Sequence, residues 1–330
     1  MDGFLFVTEV TKMLTKHIHK EMKSVLAIAL FVISAVTYGQ QDPLYTQYMY
    51  NKLAINPGYA GSHELFSIEA LTRIQWVGME GSPRTTSLSL HTPLRNPHIA
   101  LGLYVYTDRL GPTVDYGIMG NFTYRIIFKN SKLSFGVNAG FKYYNIDFES
   151  LEAKDPGDIE LINKVKNRAV PDVDFGIYYY TPKFYVGLSS KHLLQNQMSV
   201  SSSPAPDTKS SFSKLKRHFY GIGGAAFPLS KDLVFMPSLL VKLVEGAPVQ
   251  LDVNTSFLIL DVLTLVASYR TNAALAFLVS VNITRNLSIG YSYDIWFNRL
   301  QGYNKGSHEI RVGYDFNPFR NSRMLTPRYF

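Results

Sequence analysis

Alternation of apolar and polar residues is the main pattern along this chain. In LSIGYSYDIWF, residues 287–297, apolar or aromatic side chains at every second position are separated by Ser288, Gly290, Ser292 and Asp294. Successive side chains of a β-strand point to opposite faces, so this pattern predicts a strand with one apolar and one polar or small face. The alternation recurs in KLSFGVNAGFKYYNIDF, PVQLDVNTSFLI and HEIRVGYDF. By itself it fits both a soluble β-sandwich and a membrane barrel.

Segments bounded by Gly, Pro, Asn, Asp and Lys clusters predict about 14 strands. Several of these segments exceed the roughly 5 or 6 residues usual in soluble sheets and reach the roughly 9 to 11 that cross a bilayer. A closed sheet also satisfies its own backbone hydrogen bonds in hydrocarbon. We therefore predict an all-β fold, a transmembrane antiparallel β-barrel of about 14 strands. The predicted strands cover residues 65–76, 84–92, 98–108, 113–128, 132–148, 171–181, 183–190, 216–228, 232–243, 248–260, 262–270, 273–284, 286–297 and 307–317.

The connections between these strands alternate in kind. LRNPH, KNSK, TPK, PLSKD, LDV and TRN are short, whereas WVGMEGSPR, DRLGPT, residues 149–170, residues 191–215 and NRLQGYNKGS are mostly longer and polar. Outer-membrane barrels have short periplasmic turns and longer external loops, and this alternation predicts the same arrangement. Residues 151–167 end in a short helical pattern that fits either a lid or plug or a solvated surface helix. Residues 199–214 are rich in Ser and Pro and predict a mobile segment.

The N-terminal region has the features of an export signal. Met22-Lys23 precedes the apolar run VLAIALFVISAV, which is followed by Thr37-Tyr38-Gly39 and the polar sequence QQDP. A positive region, a short apolar run and a small residue before a polar stretch predict a cleaved signal peptide within residues 1–39, with Met22 as a possible true start. We expect residues 40–64 to form a periplasmic or plug segment and residues 65–330 to form the barrel.

Composition narrows the class of protein. Hydrophobic residues make up 46% of the chain, and no apolar run of the roughly 20 residues needed for a transmembrane helix follows residue 39. The 22 Tyr and 21 Phe residues suit a barrel with aromatic girdles. The absence of Cys excludes disulfides and thiolate chemistry. The net charge of +8 comes without a dense Lys/Arg block that carries stacking aromatics, so we expect no nucleic-acid partner.

The sequence contains little that indicates catalysis. GxSxG is absent, and the six His residues that follow the predicted signal peptide form no HxxxH, HxH or HExxH pair, so we expect no enzyme activity, cofactor or metal site. Ser89 and His91 share one strand face and are the nearest candidates for an outer-membrane hydrolase, although no acid partner is evident. Charged residues on the polar strand faces are expected either to line a polar lumen or to fill it by pairing. They are Lys142, Lys242, Asp252, Asp294, Glu309, Arg311 and Asp315.

Several motifs resemble one family over nearly the whole chain after the signal peptide. They are QDPLYTQYMYNKLAINPGYAGS, RIQWVGMEGSPRTTSLSLHTPL, DRLGP, KLVEGAPVQLDVN, GYSYD and LQGYNKGSHEI, in this order. The chain in this respect resembles the PorP/SprF outer-membrane proteins of the Bacteroidetes type IX secretion system. Residues 149–170 and 191–215 carry no recognisable family motif.

The resemblance implies an integral outer-membrane component of the type IX secretion and gliding machinery. Some family members hold or export a large surface adhesin by engaging its C-terminal domain, whereas the founding member is implicated in the core apparatus with periplasmic lipoprotein and ring partners. The implied partners are therefore an adhesin C-terminal domain, secretion or gliding lipoproteins, periplasmic ring components and outer-membrane lipid. The alternative function is a passive or selective outer-membrane pore.

Aromatic residues in the first segment and in two loops are the candidates for partner binding. The N-terminal segment carries many Tyr residues around Asn56-Pro57-Gly58, which fits either a plug that seals the pore or a docking element. Loop aromatic and apolar residues are typical interface anchors, although Trp76 and Trp296 also fit membrane-interface anchoring, which we favour for Trp296. The candidates are Tyr45, Tyr48, Tyr50, Asn56, Pro57, Tyr59, Trp76, Val77, Met79 and Tyr303.

Overall fold

The computed structural model describes residues 42–146, 168–199, 211–297 and 301–317. The predicted signal peptide, the helical pattern in residues 151–167 and residues 200–210 of the Ser- and Pro-rich segment lie outside these ranges. Within them, no helix is long and apolar enough to cross a membrane. The only helical elements described are two single 3₁₀ turns, Lys52–Ala54 and Pro57–Tyr59.

The described chain forms a closed antiparallel barrel of 14 strands, which confirms the predicted fold. Each strand pairs with the next, and β1 pairs with β14, where Phe66 lies opposite Phe316. Strands β8 and β9 are each interrupted once. The strands are β1 (Phe66–Ile74), β2 (Arg84–Pro93), β3 (Ile99–Leu110), β4 (Thr113–Ile127), β5 (Lys132–Ile146), β6 (Arg168–Tyr180), β7 (Phe184–Lys191), β8 (His218–Ala225, then Phe227–Pro228), β9 (Leu233–Phe235, then Ser238–Val244), β10 (Gln250–Ile259), β11 (Leu263–Arg270), β12 (Ala274–Asn282), β13 (Leu287–Trp296) and β14 (Ser307–Phe316).

The strands place apolar side chains outside and polar side chains inside. On β4, Ile118 and Phe122 are half exposed. Asn121 and Thr123, which flank Phe122, are buried. This is the reverse of a soluble protein, in which exposed sheet faces are polar. An outward apolar band on a closed sheet is the arrangement that a lipid bilayer stabilises. The lipid-facing interpretation of the alternating pattern agrees with this burial.

The barrel has two different ends. We call the end that carries the β1–β2, β3–β4 and other odd-to-even connections the loop end, and the opposite end the turn end. β2–β3, β4–β5 and β6–β7 join at the turn end through a few residues each. In the β7–β8 connection at the loop end, Gln197–Ser199 pairs with Ser211–Lys214 as a short ribbon. β1 begins and β14 finishes at the turn end.

The DRLGPT segment is not the longer loop that the sequence analysis expected. Leu110 pairs with Thr113, so only Gly111 and Pro112 form the connection between β3 and β4. Gly111 has a φ of 54°, a left-handed conformation that glycine adopts readily in a two-residue turn. The polar ends of β3 and β4 continue to pair because their backbone hydrogen bonds are favourable outside the apolar band as well as inside it. β4 consequently has 15 residues.

Candidate functional site

Residues 42–64, which we call the N-terminal segment, lie inside the barrel and run along its axis. At the loop end Asp42 contacts Lys191, the last residue of β7, with 2.9 Å between Oδ2 and Nζ. At the turn end Glu64 forms an ion pair with Lys132, the first residue of β5. The segment therefore passes through the lumen from the loop end to the turn end, where it joins β1.

Asp42 is held by three basic side chains, in a group that we call the Asp42 cluster (Asp42, Lys142, Lys191 and His192). Its Oδ1 lies 3.2 Å from Lys142 Nζ and 2.7 Å from His192 Nε2. Lys191 Nζ lies 2.9 Å from the other carboxylate oxygen, Oδ2. These contacts tie the start of the described segment to the barrel wall.

A second ionic group, the Arg73 cluster, consists of Arg73, Asp294 and Glu309, and all three side chains are buried. The Arg73 guanidinium lies 2.6 Å from Asp294 and 3.0 Å from Glu309. The backbone N–H groups of Thr46 and Gln47 donate to the two Glu309 carboxylate oxygens at 2.9 and 2.7 Å. The Glu309 carboxylate thus satisfies two backbone N–H groups of the segment, and Arg73 and Asp294 bond the Thr46 hydroxyl.

The middle of the segment presents its tyrosines to polar wall residues. The Asn254 side-chain amide donates to the Tyr48 hydroxyl at 2.5 Å. The Arg311 guanidinium lies over the Tyr50 ring, 4.1 Å from its centroid, which is a cation–π contact. Aromatic side chains bury a large area and have few rotatable bonds, so this Tyr-rich sequence suits a segment that fills a polar cavity.

Lys52 is buried between aromatic rings. Its ammonium lies 5.1 Å from the centroid of the Tyr59 ring and 4.7 Å from that of Tyr185. The rings provide a partial substitute for water around the ammonium.

The Asn56-Pro57-Gly58 turn presses against glycines of the wall. Asn56 donates to the Ile177 carbonyl oxygen at 3.0 Å. A Cβ on Gly176 would lie 2.1 Å from Asn56 Oδ1, and a Cβ on Gly136 would lie 2.2 Å from the Pro57 carbonyl carbon. Gly136 and Gly176 are directly opposite each other on β5 and β6. The wall is therefore smooth where the turn touches it, because any side chain there would occupy the same space.

Gly136→Ala is expected to loosen the N-terminal segment from the wall. The new methyl group would overlap backbone atoms of Pro57 and Gly58, which cannot rotate away. Overpacking of this kind costs about 1–3 kcal/mol. The cost should appear as a lower unfolding temperature and as faster protease cleavage within residues 42–64.

Gly120→Ala on the neighbouring strand is the matched control, since a Cβ there would meet nothing nearer than 3.7 Å. Equal behaviour of the two variants would contradict tight packing of the turn on Gly136.

The structure places the predicted charged residues as follows. Lys142, Lys242, Asp252, Asp294, Glu309 and Arg311 are buried on the inner face, and Asp315 is partly exposed at the turn end, 3.7 Å from His63. Other inward charged residues were not among the predicted ones, although each also stands at a polar position of an alternating strand or next to one. They are Glu69, Arg73, Arg125, Asp172, Asp174, Lys191, His192 and Arg270.

The partner-binding candidates separate into two groups. Tyr45, Tyr48, Asn56, Pro57 and Tyr59 are buried within the lumen, and Tyr50 is partly buried. Trp76, Val77 and Met79 are partly buried in the β1–β2 loop, whereas Tyr303 in the β13–β14 loop is 76% exposed. Only the loop group can meet a partner without movement of the N-terminal segment.

The expectation that Trp296 anchors the barrel at the membrane interface is wrong. Trp296 lies on the same face of β13 as Asp294, is 5% exposed, and its indole N–H donates to Ser307 Oγ at 2.7 Å. Its ring packs edge-on against Trp76, with centroids 5.6 Å apart. The alternation along β13 places residue 296 inside, because even-numbered positions of this strand face inward.

The Ser89 and His91 pair is used structurally. The Ser89 hydroxyl donates to Asn51 Oδ1 at 2.9 Å, and His91 Nδ1 accepts the Gly61 N–H at 3.3 Å. Both side chains are buried beneath the N-terminal segment. In this arrangement the hydroxyl is directed to Asn51 rather than to His91.

Comparisons with solved structures return membrane barrels. Omp33 of Acinetobacter baumannii has 10% identity and a TM-score of 0.43, over 77% of this chain and 100% of that one. The TodX deltaS2S3 mutant, a monoaromatic hydrocarbon channel, has 12% identity and a TM-score of 0.45, over 86% and 98%. CymD, another monoaromatic hydrocarbon channel, has 10% identity and a TM-score of 0.47, over 84% and 95%. Similarity at this level carries no information on function.

The comparison with curated proteins found no match. A family comparison, in contrast, matches residues 37–314 to the family described as type IX secretion system membrane protein PorP/SprF. The match includes the N-terminal segment and 13 complete strands before it ends within β14. This confirms the resemblance, the outer-membrane location and a role as a secretion-system component. The chain belongs to the PorP/SprF family of type IX secretion system membrane proteins.

Proposed function

We propose that this barrel anchors the C-terminal domain of a secreted adhesin at the cell surface and connects it to periplasmic lipoproteins and ring components. The observation that carries the proposal is the occupied lumen. The N-terminal segment runs through it from Asp42 to Glu64, with an ion pair to the barrel wall at each end. A barrel filled in this way is better suited to holding partners at its two ends than to passing solutes.

The loop end offers a defined surface for the adhesin domain. We call it the loop platform, formed by residues 76–79 and 303–306. Val77 N–H donates to the Gly306 carbonyl oxygen at 2.9 Å, and Lys305 N–H donates to the Val77 carbonyl oxygen at 2.8 Å, so the two loops are joined. Trp76 is held by Trp296 beneath it. A rigid base with an exposed Tyr303 has the features of an interface anchor.

The turn end offers a separate apolar surface for a periplasmic partner. Leu229, Leu260 and Ile283 lie at or next to the tips of three successive turns and are 59%, 63% and 56% exposed. Outer-membrane barrels place their turns in the periplasm, where exposed leucine and isoleucine side chains have no lipid tails to cover them. Grouped exposed apolar residues at such a position favour protein contact.

Two variants are expected to lose different partners. Because interface anchors contribute about 2 kcal/mol or more, Tyr303→Ala with Met79→Ala should weaken capture of the adhesin C-terminal domain by roughly 30-fold. Changing Leu229, Leu260 and Ile283 to Ser should instead reduce recovery of the periplasmic lipoprotein. The measurement is quantitative co-purification from cells in mild detergent.

Each variant is the other's control, and Tyr124→Ala near the turn end controls for loss of an exposed tyrosine from the wall. The anchoring proposal fails if neither partner co-purifies with the unmodified protein, or if both variants lose both partners equally while remaining folded.

A pore remains the second candidate function because the barrel wall is polar inside. Asn121, Asn138 and Asn254 stand beside the buried charged residues on inner strand faces. Such a wall would hold water if the N-terminal segment left it. Conductance measurements separate the two functions, as developed in the Discussion.

A further inference from the structure

Three potential metal ligands meet at the loop end of the lumen. Asp42, His192 and His218 each offer one ligand atom, and these atoms lie within 4.8 Å of one another. The three residues come from the N-terminal segment, the end of β7 and the start of β8. All three are buried. Sequence spacing did not indicate this group, since the two histidines are separated by residues 193–217 and the aspartate comes from a distant part of the chain.

The hydrogen bonds of both histidines leave one ring nitrogen directed at this group. His192 Nδ1 donates to Asp172 Oδ2 at 2.5 Å, and His218 Nδ1 donates to the Lys216 carbonyl oxygen at 3.0 Å. Metal-binding histidines almost always donate their other N–H to a carboxylate or carbonyl in this way, which fixes the tautomer and the ring orientation.

The Nε2 atom of His218 has no hydrogen-bond partner although the residue is 0% exposed. A buried ring nitrogen without a partner is costly, and native structures rarely leave one. It lies on a ring whose centroid is 5.3 Å from that of His192. This lone pair without a hydrogen-bond partner is independent of the clustering, and it favours a bound ligand at this position.

His192 Nε2 faces two groups of opposite charge. It lies 2.7 Å from Asp42 Oδ1 and 3.2 Å from the Lys142 ammonium. A cation that took the place of the ammonium would use the lone pair and the carboxylate together.

We propose that Asp42, His192 and His218 bind one divalent transition-metal ion of the zinc class, with water completing the coordination. Two imidazole nitrogens and one carboxylate are a usual ligand set for Zn²⁺ with an open fourth position. The ion competes with Lys142 for Asp42 Oδ1 and His192 Nε2. Because Asp42 belongs to the N-terminal segment and the histidines to the wall, the bound ion fastens the segment inside the barrel at its loop end.

Zinc content of the purified barrel tests the proposal directly. The protein is prepared in detergent without a polyhistidine tag, stripped with EDTA, incubated with Zn²⁺, desalted and assayed by mass spectrometry for metal. We expect one retained zinc per chain. His218→Gln should lose it, and Asp172→Asn should weaken zinc binding by roughly 10-fold to 100-fold through the orientation of His192. Lys142→Met should strengthen zinc binding at least severalfold, because the competing ammonium is gone.

His98→Gln is the matched control, since His98 lies at the turn end and its Nδ1 donates to the Arg125 carbonyl oxygen there at 2.9 Å. Heat-dependent migration on gels verifies that every variant is folded, so loss of zinc from a folded His218→Gln barrel supports the site. The proposal is overturned if the unmodified barrel retains no more zinc than His218→Gln, or if Lys142→Met binds zinc more weakly than the unmodified barrel.

Discussion

Deletion of residues 42–61 is expected to convert a barrel that does not conduct ions into one that does. The segment occupies the lumen along its length, and its removal would expose inner faces that carry Lys142, Asp252 and Arg311. Such faces hydrate readily, and barrels of more than about eight strands are wide enough to hold more than their own side chains. Single-channel recordings in planar bilayers should show no steps for the complete chain and regular steps for the deletion variant.

Charge selectivity provides a further control for the same recordings. In the deletion variant, Arg311→Gln should alter the preference between cations and anions, whereas the same change in the complete chain should leave it closed. Conductance by the unmodified protein equal to that of the deletion variant would favour the pore function and argue against the anchoring proposal. A closed deletion variant that remains folded would show that residues 42–61 do not seal the barrel.

Arg73→Met is expected to destabilise the barrel by about 3–5 kcal/mol, the usual cost of removing one partner from a buried ion pair. Arg73 is 1% exposed and lies between the Asp294 and Glu309 carboxylates. Without the guanidinium, Glu309 would lose this ion pair, and Asp294 would keep the more distant Arg270, 3.8 Å away. Urea unfolding in detergent micelles, followed by tyrosine and tryptophan fluorescence, measures the change in the free energy of unfolding.

Arg84→Met gives the matched comparison, because Arg84 begins β2 at the same end of the barrel and is exposed. An exposed charge contributes about 0–1 kcal/mol. If Arg73→Met unfolds at the same urea concentration as Arg84→Met, the Arg73 cluster does not support the barrel. Partial recovery in Arg73→Met with Asp294→Asn and Glu309→Gln would identify the unpaired carboxylates as the source of the loss.

Both experiments bear on how the N-terminal segment serves the proposed anchoring function. The Arg73 cluster binds the segment's backbone at Thr46 and Gln47, and the Asp42 cluster binds its start. A segment held at several positions along its length keeps the lumen closed. The loop platform and the turn end then remain available for binding partners. A variant that opens the pore but still captures both partners would separate sealing from anchoring.

Alternation along the chain was sufficient for the strands and for the direction of their side chains. A strand has a repeat of two residues, so the apolar positions of KLSFGVNAGF identify its lipid face from local sequence alone, and Lys142 follows as an inward residue. The same rule also assigns Trp296 to the interior, because it shares a strand face with Asp294. The expectation for that residue was wrong because it relied on the general preference of Trp for membrane interfaces instead of the alternation along the strand. The length of DRLGPT was misjudged because sequence shows turn-forming residues but not where pairing stops.

The sequence by itself determined the barrel, its family and the division between inner and outer faces, because these depend on short-range periodicity and on motifs in order. Only the tertiary structure decided which inward charges meet and what fills the lumen. Asp42 and His192 are 150 positions apart, and Thr46 and Glu309 are 263 apart. Contacts between such distant positions depend on barrel closure and on the path of the segment through it, and no local pattern records either.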